Sequence, residues 1–250
     1  MGAFYTLDGL GLVCFNVVMK KLLILLFFIT GFSSSQTWGA DFAKGFDAFK
    51  SGDYATALKE WTPLAEQGVA RAQYNLGLMY SNGKGVIQDY KTAVKWYTRS
   101  AEQGYARAQF NLGLMYNTGK GVIQDYKTAV NWYTLAAEQG NAAAQANLGL
   151  MYNNGKGVIQ DYKTAVNWYT LAAEQGDAAA QANLAISFAV GDGVIEDKVY
   201  AHMWANIARS NGSENASKIL DILVKQMPPS QIEKAQDLAR ECVKKNYKGC

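Results

Sequence analysis

From Asp89 to Gln124 the chain reads DYKTAVKWYTRSAEQGYARAQFNLGLMYNTGKGVIQ, and most of that text returns 36 residues later. Asp53, Asp89, Asp125, Asp161 and Asp197 mark the same point in five successive copies. Self-similarity at such a period defines a solenoid, because one unit is too small to bury its own apolar face and must stack on its neighbours. The expected fold class is all-α: an α/α solenoid of about five 36-residue helix-turn-helix repeats with capping helices at both ends. Arrays of this kind build extended surfaces that bind other molecules.

Asp89 is a good N-cap residue, and the run from Tyr90 to Gln103 has no strand-like alternation. At ~100° per residue, Ala93, Trp96, Tyr97, Ser100 and Ala101 share one stripe of a helix. Ala93 has counterparts at Ala57, Ala129, Ala165 and Ala201, small enough for backbones to approach closely. Gly104, like Gly68, Gly140 and Gly176, ends this first helix, consistent with a left-handed C-terminal cap. A second helix follows, with Ala108, Leu112 and Tyr116 spaced i, i+4, i+8. Asn117-Thr118-Gly119-Lys120-Gly121 turns the chain into the next copy.

The ends deviate. Phe42, Phe46 and Phe49 recur at i, i+4, i+7, so residues 41–52 read as an N-terminal capping helix. Residues 53–196 hold four full repeats, the first with a helix-kinking Pro63. Residues 197–250 hold a degenerate fifth repeat, which keeps Ala201 and Trp204 but loses the glycine turn, and a C-terminal capping helix. After Pro228-Pro229, Ser230 and Glu233 have the spacing of a capping box for a last helix reaching about Lys245.

The first 40 residues are a different kind of sequence. Met19-Lys20-Lys21 precedes the apolar run LLILLFFITGF and then SSSQTWGA. A basic start, an apolar stretch of about a dozen residues and a small-residue exit describe a secretory signal of bacterial style. It is assigned to residues 19–40 with cleavage near Ala40; Gly39 and Ser35 are alternatives, because Trp38 is a poor residue at the −3 position of the Ala40 site. Residues 1–18 read as an upstream extension from a misplaced start codon. The two lysines argue against an uncleaved anchor over residues 9–32, so no stable membrane insertion is expected after cleavage and the protein is expected to be exported, periplasmic or secreted. The formal charge of +3 falls to +2 without Lys20, Lys21 and Asp8, leaving 22 basic against 20 acidic residues. Nucleic acid is excluded as a partner, since it requires a dense basic patch. Cys14 leaves with the leader, and Cys242 and Cys250 are expected to pair in an oxidising compartment, two free thiols being the alternative.

The pattern A-x-x-W-Y-x-x-A-A-E-Q-G, followed by A-x-A-Q-x-N-L-G-x-M-Y and N-G-K-G-V, strongly resembles the Sel1-like repeat family, relatives of tetratricopeptide repeats with a longer connector. The resemblance covers residues 53–196 closely and 197–226 in degenerate form, and the closing ARECVKKNYKGC is similar to the tail of exported bacterial members. It implies a right-handed α/α superhelix that mediates protein–protein contacts, in adaptors of signalling, protein quality control and host interaction. Some exported relatives carry a β-lactamase name.

The chemistry of that name is not in the sequence. A serine β-lactamase needs S-x-x-K, an S-D-N-like element and K-T-G. Ser81-Asn82-Gly83-Lys84 is the single S-x-x-K, its siblings read NTGK and NNGK, and no K-T-G occurs. Gly77 to Lys84 misses the P-loop by one residue of spacing and has Gly85 where a hydroxyl is needed. His202 is the only histidine, which leaves neither a zinc site nor a Ser-His-Asp triad. No catalytic residue, metal site or cofactor is expected. Trp96, Trp132, Trp168 and Trp204 read as a core-packing ladder, a grip on sugars or peptides being the alternative; Gln73, Gln109, Gln145 and Gln181, with Asn75, Asn111, Asn147 and Asn183, read as polar ladders between repeats, a ligand-facing ladder being the alternative.

One stripe points away from the core: Lys91, Lys95 and Thr98, then Lys127, Asn131 and Thr134, then Lys163, Asn167 and Thr170. First helices line the concave groove of tetratricopeptide-like arrays, so these residues are the candidate contacts for an acidic or extended protein or peptide partner; a solvated face is the bland reading. The functional expectation is a non-enzymatic protein-interaction scaffold, ahead of a peptidoglycan-associated envelope protein and a β-lactamase-like hydrolase.

Overall fold

Aspartate caps set the frame of the array. In a computed structural model, which describes residues 40–250, every one of the five periodic aspartates accepts a hydrogen bond from a backbone N–H of the first helical turn. Asp89 accepts from Lys91 N at 2.9 Å, and its other oxygen accepts from Thr92 Oγ1 at 2.6 Å. The Thr92 hydroxyl, with the Thr92 and Lys91 amides, holds the Asp89 carboxyl below its ordinary range. The leader assigned to residues 19–40, the extension 1–18 and Cys14 lie outside the described residues, apart from Ala40.

Twelve helices follow among the described residues, without strands. A short α1 (Phe42–Ser51) precedes four αα-hairpins: α2 (Tyr54–Glu66) with α3 (Ala70–Asn82), α4 (Tyr90–Glu102) with α5 (Ala106–Thr118), α6 (Tyr126–Glu138) with α7 (Ala142–Asn154), and α8 (Tyr162–Ala173) with α9 (Ala178–Val190). The fifth unit holds α10 (Lys198–Ser210) and α11 (Glu214–Val224), and α12 (Pro229–Lys244) closes the chain. Pro63 falls in the last turn of α2, where its missing N–H disturbs little helix beyond it. None of these helices is long and apolar enough to cross a membrane.

Gly104 turns each hairpin in the left-handed region, at φ 84°, and Gly121 does so between units, at φ 75°. At Gly121 a second reason applies: a Cβ there would lie against the Tyr90 carbonyl. Around Gly121 the linker is held by Lys120 N donating to Met115 O, Asp125 N to Tyr116 O, and Gln124 Nε2 to Asn117 O. Ile123 is left 91% exposed at its tip, as are Ile87 and Ile159.

Each second helix packs against its own first helix and, more extensively, against the first helix of the next unit. The mid-helix glycines make that second contact possible. A Cβ on Gly113 would lie 2.7 Å from Tyr133 Cδ1, so the fully buried tyrosine ring rests directly on the helix backbone. Gly77 and Tyr97 make the same pair, as do Gly149 and Tyr169. Gly45 of α1 meets Trp61 in this way, which makes α1 a shortened second helix and explains how a half-unit caps the array. Trp61 Nε1 also donates to Phe42 O at 3.2 Å.

The C-terminal end differs from the sequence reading at the start of its last helix. No capping box forms: Pro228 is the N-cap, the helix begins at Pro229, and neither Ser230 nor Glu233 caps an N–H. Proline is suited to the first helical position, where its fixed φ fits and its missing N–H is not needed, and this places Ser230 two residues past the N-cap. In addition, α12 does not extend the stack beyond α11 but folds back onto α10. Cys242 and Cys250 are joined by a disulfide, with Cα atoms 5.5 Å apart. The tail it closes reaches earlier helices: Tyr247 Oη donates to Asn211 Oδ1, and Gly249 N to Glu174 Oε1. Replacing both cysteines by serine is expected to lower the unfolding free energy by about 2 kcal/mol in urea, as for other short disulfide loops. An unchanged urea midpoint would mean that the tail is held by its polar contacts alone.

Candidate partner-binding surface

The first helices α4, α6 and α8 bury one stripe and expose the opposite one. Ala93, Tyr97, Ser100 and Ala101 are buried, while Lys91 and Lys95 are exposed; Lys127, Asn131, Lys163 and Asn167 are exposed at the matching positions. Thr98, Thr134 and Thr170 are half-buried. The Thr134 and Thr170 hydroxyls donate back to Val130 O and Val166 O within their own helices, which leaves them less to offer a ligand. The stripe is thus a repeated Lys-then-Lys/Asn surface with threonine at its edge.

The tryptophans belong to the packing between units. Trp96, Trp132 and Trp168 are partly buried against the apolar cluster of the preceding unit, and Trp204 is fully buried. The glutamines form one repeated pair at each junction between units. Gln109 donates to Ala101 O at 3.2 Å inside its own unit and accepts from Gln139 Nε2 of the next at 2.7 Å. Gln73 with Gln103, Gln145 with Gln175, and Gln181 with Asn211 repeat the arrangement. These amides are occupied by the scaffold. Asn147 donates to Ala143 O, a bond within its own helix rather than between repeats.

In the fifth unit the exposed stripe changes character. Val199, Met203 and Asn206 stand where Lys163, Asn167 and Thr170 stand one unit earlier. Met203 is 1% exposed and packs in one cluster with Ala239 and Cys242 of α12. Val199 and Ile232 of α12 both pack against the cluster of Ala201, Leu223 and Met227. A cleft of about 440 Å³ remains beside them, lined by Asn206, Ile207 and Arg209 of α10 and by Gln236, Arg240 and Val243 of α12. Sequence reasoning missed this use of the face. Its signal was the replacement of lysine and asparagine by valine and methionine in a single copy.

His202 is buried, with Asn206 Nδ2 2.8 Å from its Nδ1. The amide donates, so the imidazole accepts at Nδ1. Burial, and then the nearby Arg209 charge, push its pKa below 6.5. A base whose folded pKa is depressed gives stability that is complete above its unfolded pKa and is lost as pH falls towards the folded value. The melting temperature of the wild type is therefore expected to fall more steeply below pH ~6.5 than that of His202→Gln. Parallel curves would show that His202 does not titrate in this window.

The single S-x-x-K does not bring its serine and lysine together. Ser81 Oγ donates to Leu78 O and lies 3.2 Å from Tyr97 Oη, while Lys84 is directed over the Tyr54 ring. A nucleophile held by a carbonyl and a phenol, with its lysine on an aromatic face, has no general base. No cluster of three metal-ligating side chains occurs among the described residues.

The Sel1 repeat family matches residues 70–105, 106–141, 142–177 and 178–213. Each matched stretch opens on a second helix and ends after the first helix of the next unit, the pair that packs most extensively. The chain belongs to the Sel1 repeat family. Sel1 repeats typically build scaffolds for protein–protein interaction and are generally non-catalytic. Among solved structures, the chain is similar to a protective antigen present in uropathogenic Escherichia coli strains that displays an SLR fold, at 35% identity and a TM-score of 0.76 over 82% of this chain. It spans only 46% of that antigen's length. It is also similar to a Sel1 repeat protein from Oxalobacter formigenes, at 32% identity and a TM-score of 0.69, covering 82% of this chain and 85% of the other. No functionally curated protein matches it.

Proposed function

We propose that the chain is an exported, non-enzymatic scaffold that holds a protein or peptide partner on the face formed by its first helices. One observation carries the reading: in the fifth unit this face already holds a helix, because α12 packs on α10 with Met203 in one cluster with Ala239 and Cys242. The corresponding face of α4, α6 and α8 is exposed and mildly basic, which suits an acidic or extended segment. Other surfaces are less available for recognition, since the tryptophans and glutamines are engaged between units. The leader-like sequence supports export to the periplasm or beyond. One solved relative is a protective antigen, which accords with an exported setting.

The test is in-cell cross-linking of the tagged, exported protein beside an Asn131→Glu/Asn167→Glu variant, with mass spectrometry of what is captured. Exposed substitutions of this kind usually change stability by no more than ~0.5 kcal/mol. Two new carboxylates facing an acidic partner are expected to cut its capture about tenfold, equivalent to ~1.4 kcal/mol. Loss of thermal stability with unchanged capture would remove the first-helix face as the binding surface.

A further inference from the structure

Glu60 interrupts the aromatic ladder. It stands where Trp96, Trp132, Trp168 and Trp204 stand in the later units, and its side chain is 2% exposed. A carboxylate withdrawn from water needs compensating donors. Two are present, both from the start of the array: Lys44 Nζ lies 2.7 Å from Oε1, and the backbone nitrogen of Asp41 donates to Oε2 at 2.8 Å. The hydrogen bond from Lys44, then that from Asp41 N, hold the Glu60 carboxyl below its ordinary range. Lys59 adds positive charge from the same helix, and Arg71 of α3 lies over the neighbouring Phe42 ring. The Asp41 side chain is turned the other way, accepting from the Ala43 and Lys44 amides as the N-cap of α1.

Asp41 is also the first residue of the unit that holds the whole array, residues 41–250. We propose that the chain is cut between Ala40 and Asp41, and that Glu60 is the built-in receptor for the α-ammonium group released there. This rests on the export reading. Water adds across the peptide bond: Ala40 departs with a carboxylate, and the Asp41 nitrogen takes up protons to become an ammonium. Catalysis is supplied by a leader peptidase of the export apparatus. Before cleavage the Asp41 nitrogen offers Glu60 one amide proton and no charge. Afterwards it offers a full positive charge, so the same contact becomes a charge-assisted hydrogen bond of roughly twice the strength. Cleavage after Gly39 or Ser35 would leave an amide at Asp41, with Lys44 as the only charged donor within hydrogen-bond distance of Glu60 among the described residues. Among the sites open on sequence grounds, only the Ala40–Asp41 bond creates a charge at the place where a buried carboxylate stands ready.

The experiment uses the full chain, expressed with its leader in a Gram-negative host and recovered after export. Mass spectrometry reads the N-terminus, and the acylation rate of the α-amine at pH ~7 is compared between wild type and Glu60→Gln. Asp41 is the expected first residue. Its amine is expected to react roughly tenfold more slowly in the wild type, because one unit of raised α-amino pKa lowers the reactive unprotonated fraction tenfold. Should Glu60→Gln fail to give a helical circular dichroism spectrum, wild-type labelling in native buffer and in urea makes the same comparison. A retained leader would defeat the export reading itself. A product beginning at Ala40 or Gln36 would overturn the processing site, and an Asp41 product with equal acylation rates would overturn the receptor role.

Discussion

Gly149→Ala is expected to destabilise the wild-type chain and to stabilise one that already carries Tyr169→Ala. The two residues touch: a Cβ on Gly149 would lie 2.6 Å from the Tyr169 ring, and the ring is 1% exposed with no room to withdraw. Overpacking of this kind costs ~1–3 kcal/mol, against a gain of ~1 kcal/mol from alanine in a helix interior. The clash wins while the tyrosine is present. Tyr169→Ala alone removes a large buried side chain and is expected to cost roughly 3–5 kcal/mol. In that background Gly149→Ala meets no ring; its nearest neighbour is the Ala165 carbonyl oxygen at 3.1 Å, a contact that a shift of a few tenths of an ångström relieves, so helix propensity and the added methyl decide the sign. The chain contains this compensated pair one unit later, where Ala185 faces the position of Ala205 and both are fully buried. There the bulk is supplied instead by Met203, Trp204 and Ile207. Urea unfolding of the two single variants and the double variant measures the cycle. Additive losses, or a neutral Gly149→Ala in the wild type, would show that the ring does not depend on the glycine.

Gln145→Ala should cost roughly 3 kcal/mol, whereas Gln175→Ala should cost about 1 kcal/mol or less. Gln145 is buried, donates to Ala137 O at 3.0 Å and accepts from Gln175 Nε2 at 2.7 Å. Each neutral bond contributes about 1 kcal/mol net, and truncating a buried side chain adds a cavity term. Gln175 is exposed, loses a single inter-unit bond, and its surroundings are repaired by water. Because a solenoid is stabilised by intrinsic terms and nearest-neighbour interfaces, the Gln145 loss should fall on the contact between the third and fourth units. Hydrogen exchange would register it as faster opening of the helices on either side. Equal costs at the two positions would mean that the bond between glutamines, rather than burial of Gln145, is what matters.

The array was legible in the sequence because its signals are local and repeated. Aspartate at the start of each first helix, glycine after it and alanine at close-approach positions act through the backbone of a few neighbouring residues, so spacing alone identifies them. The exposed stripe was legible for the same reason, as the arithmetic complement of the buried one. Glu60 was the harder case. Its signal, one glutamate in a column of tryptophans, is visible on aligning the units, but the donors that explain it come from Lys44 and Asp41 on a different helix. The glutamine bonds could be placed between repeats from sequence, yet their pairing across 30 residues depends on how far one helix is shifted against the next.

The period by itself determined the class of fold, the number of units and the face each helix buries, because a 36-residue unit with one apolar side has no stable option except stacking on its copies. What the tertiary structure alone decided lies at the two ends, where the repetition stops. There the free faces of the first and last units must be covered by segments that follow no period. The mid-helix glycine of α1 admits Trp61, and α12 turns back over Met203 of α10 instead of lengthening the stack. Those choices are set by shape and by burial of the last exposed apolar surface, which depend on contacts between residues far apart in the chain.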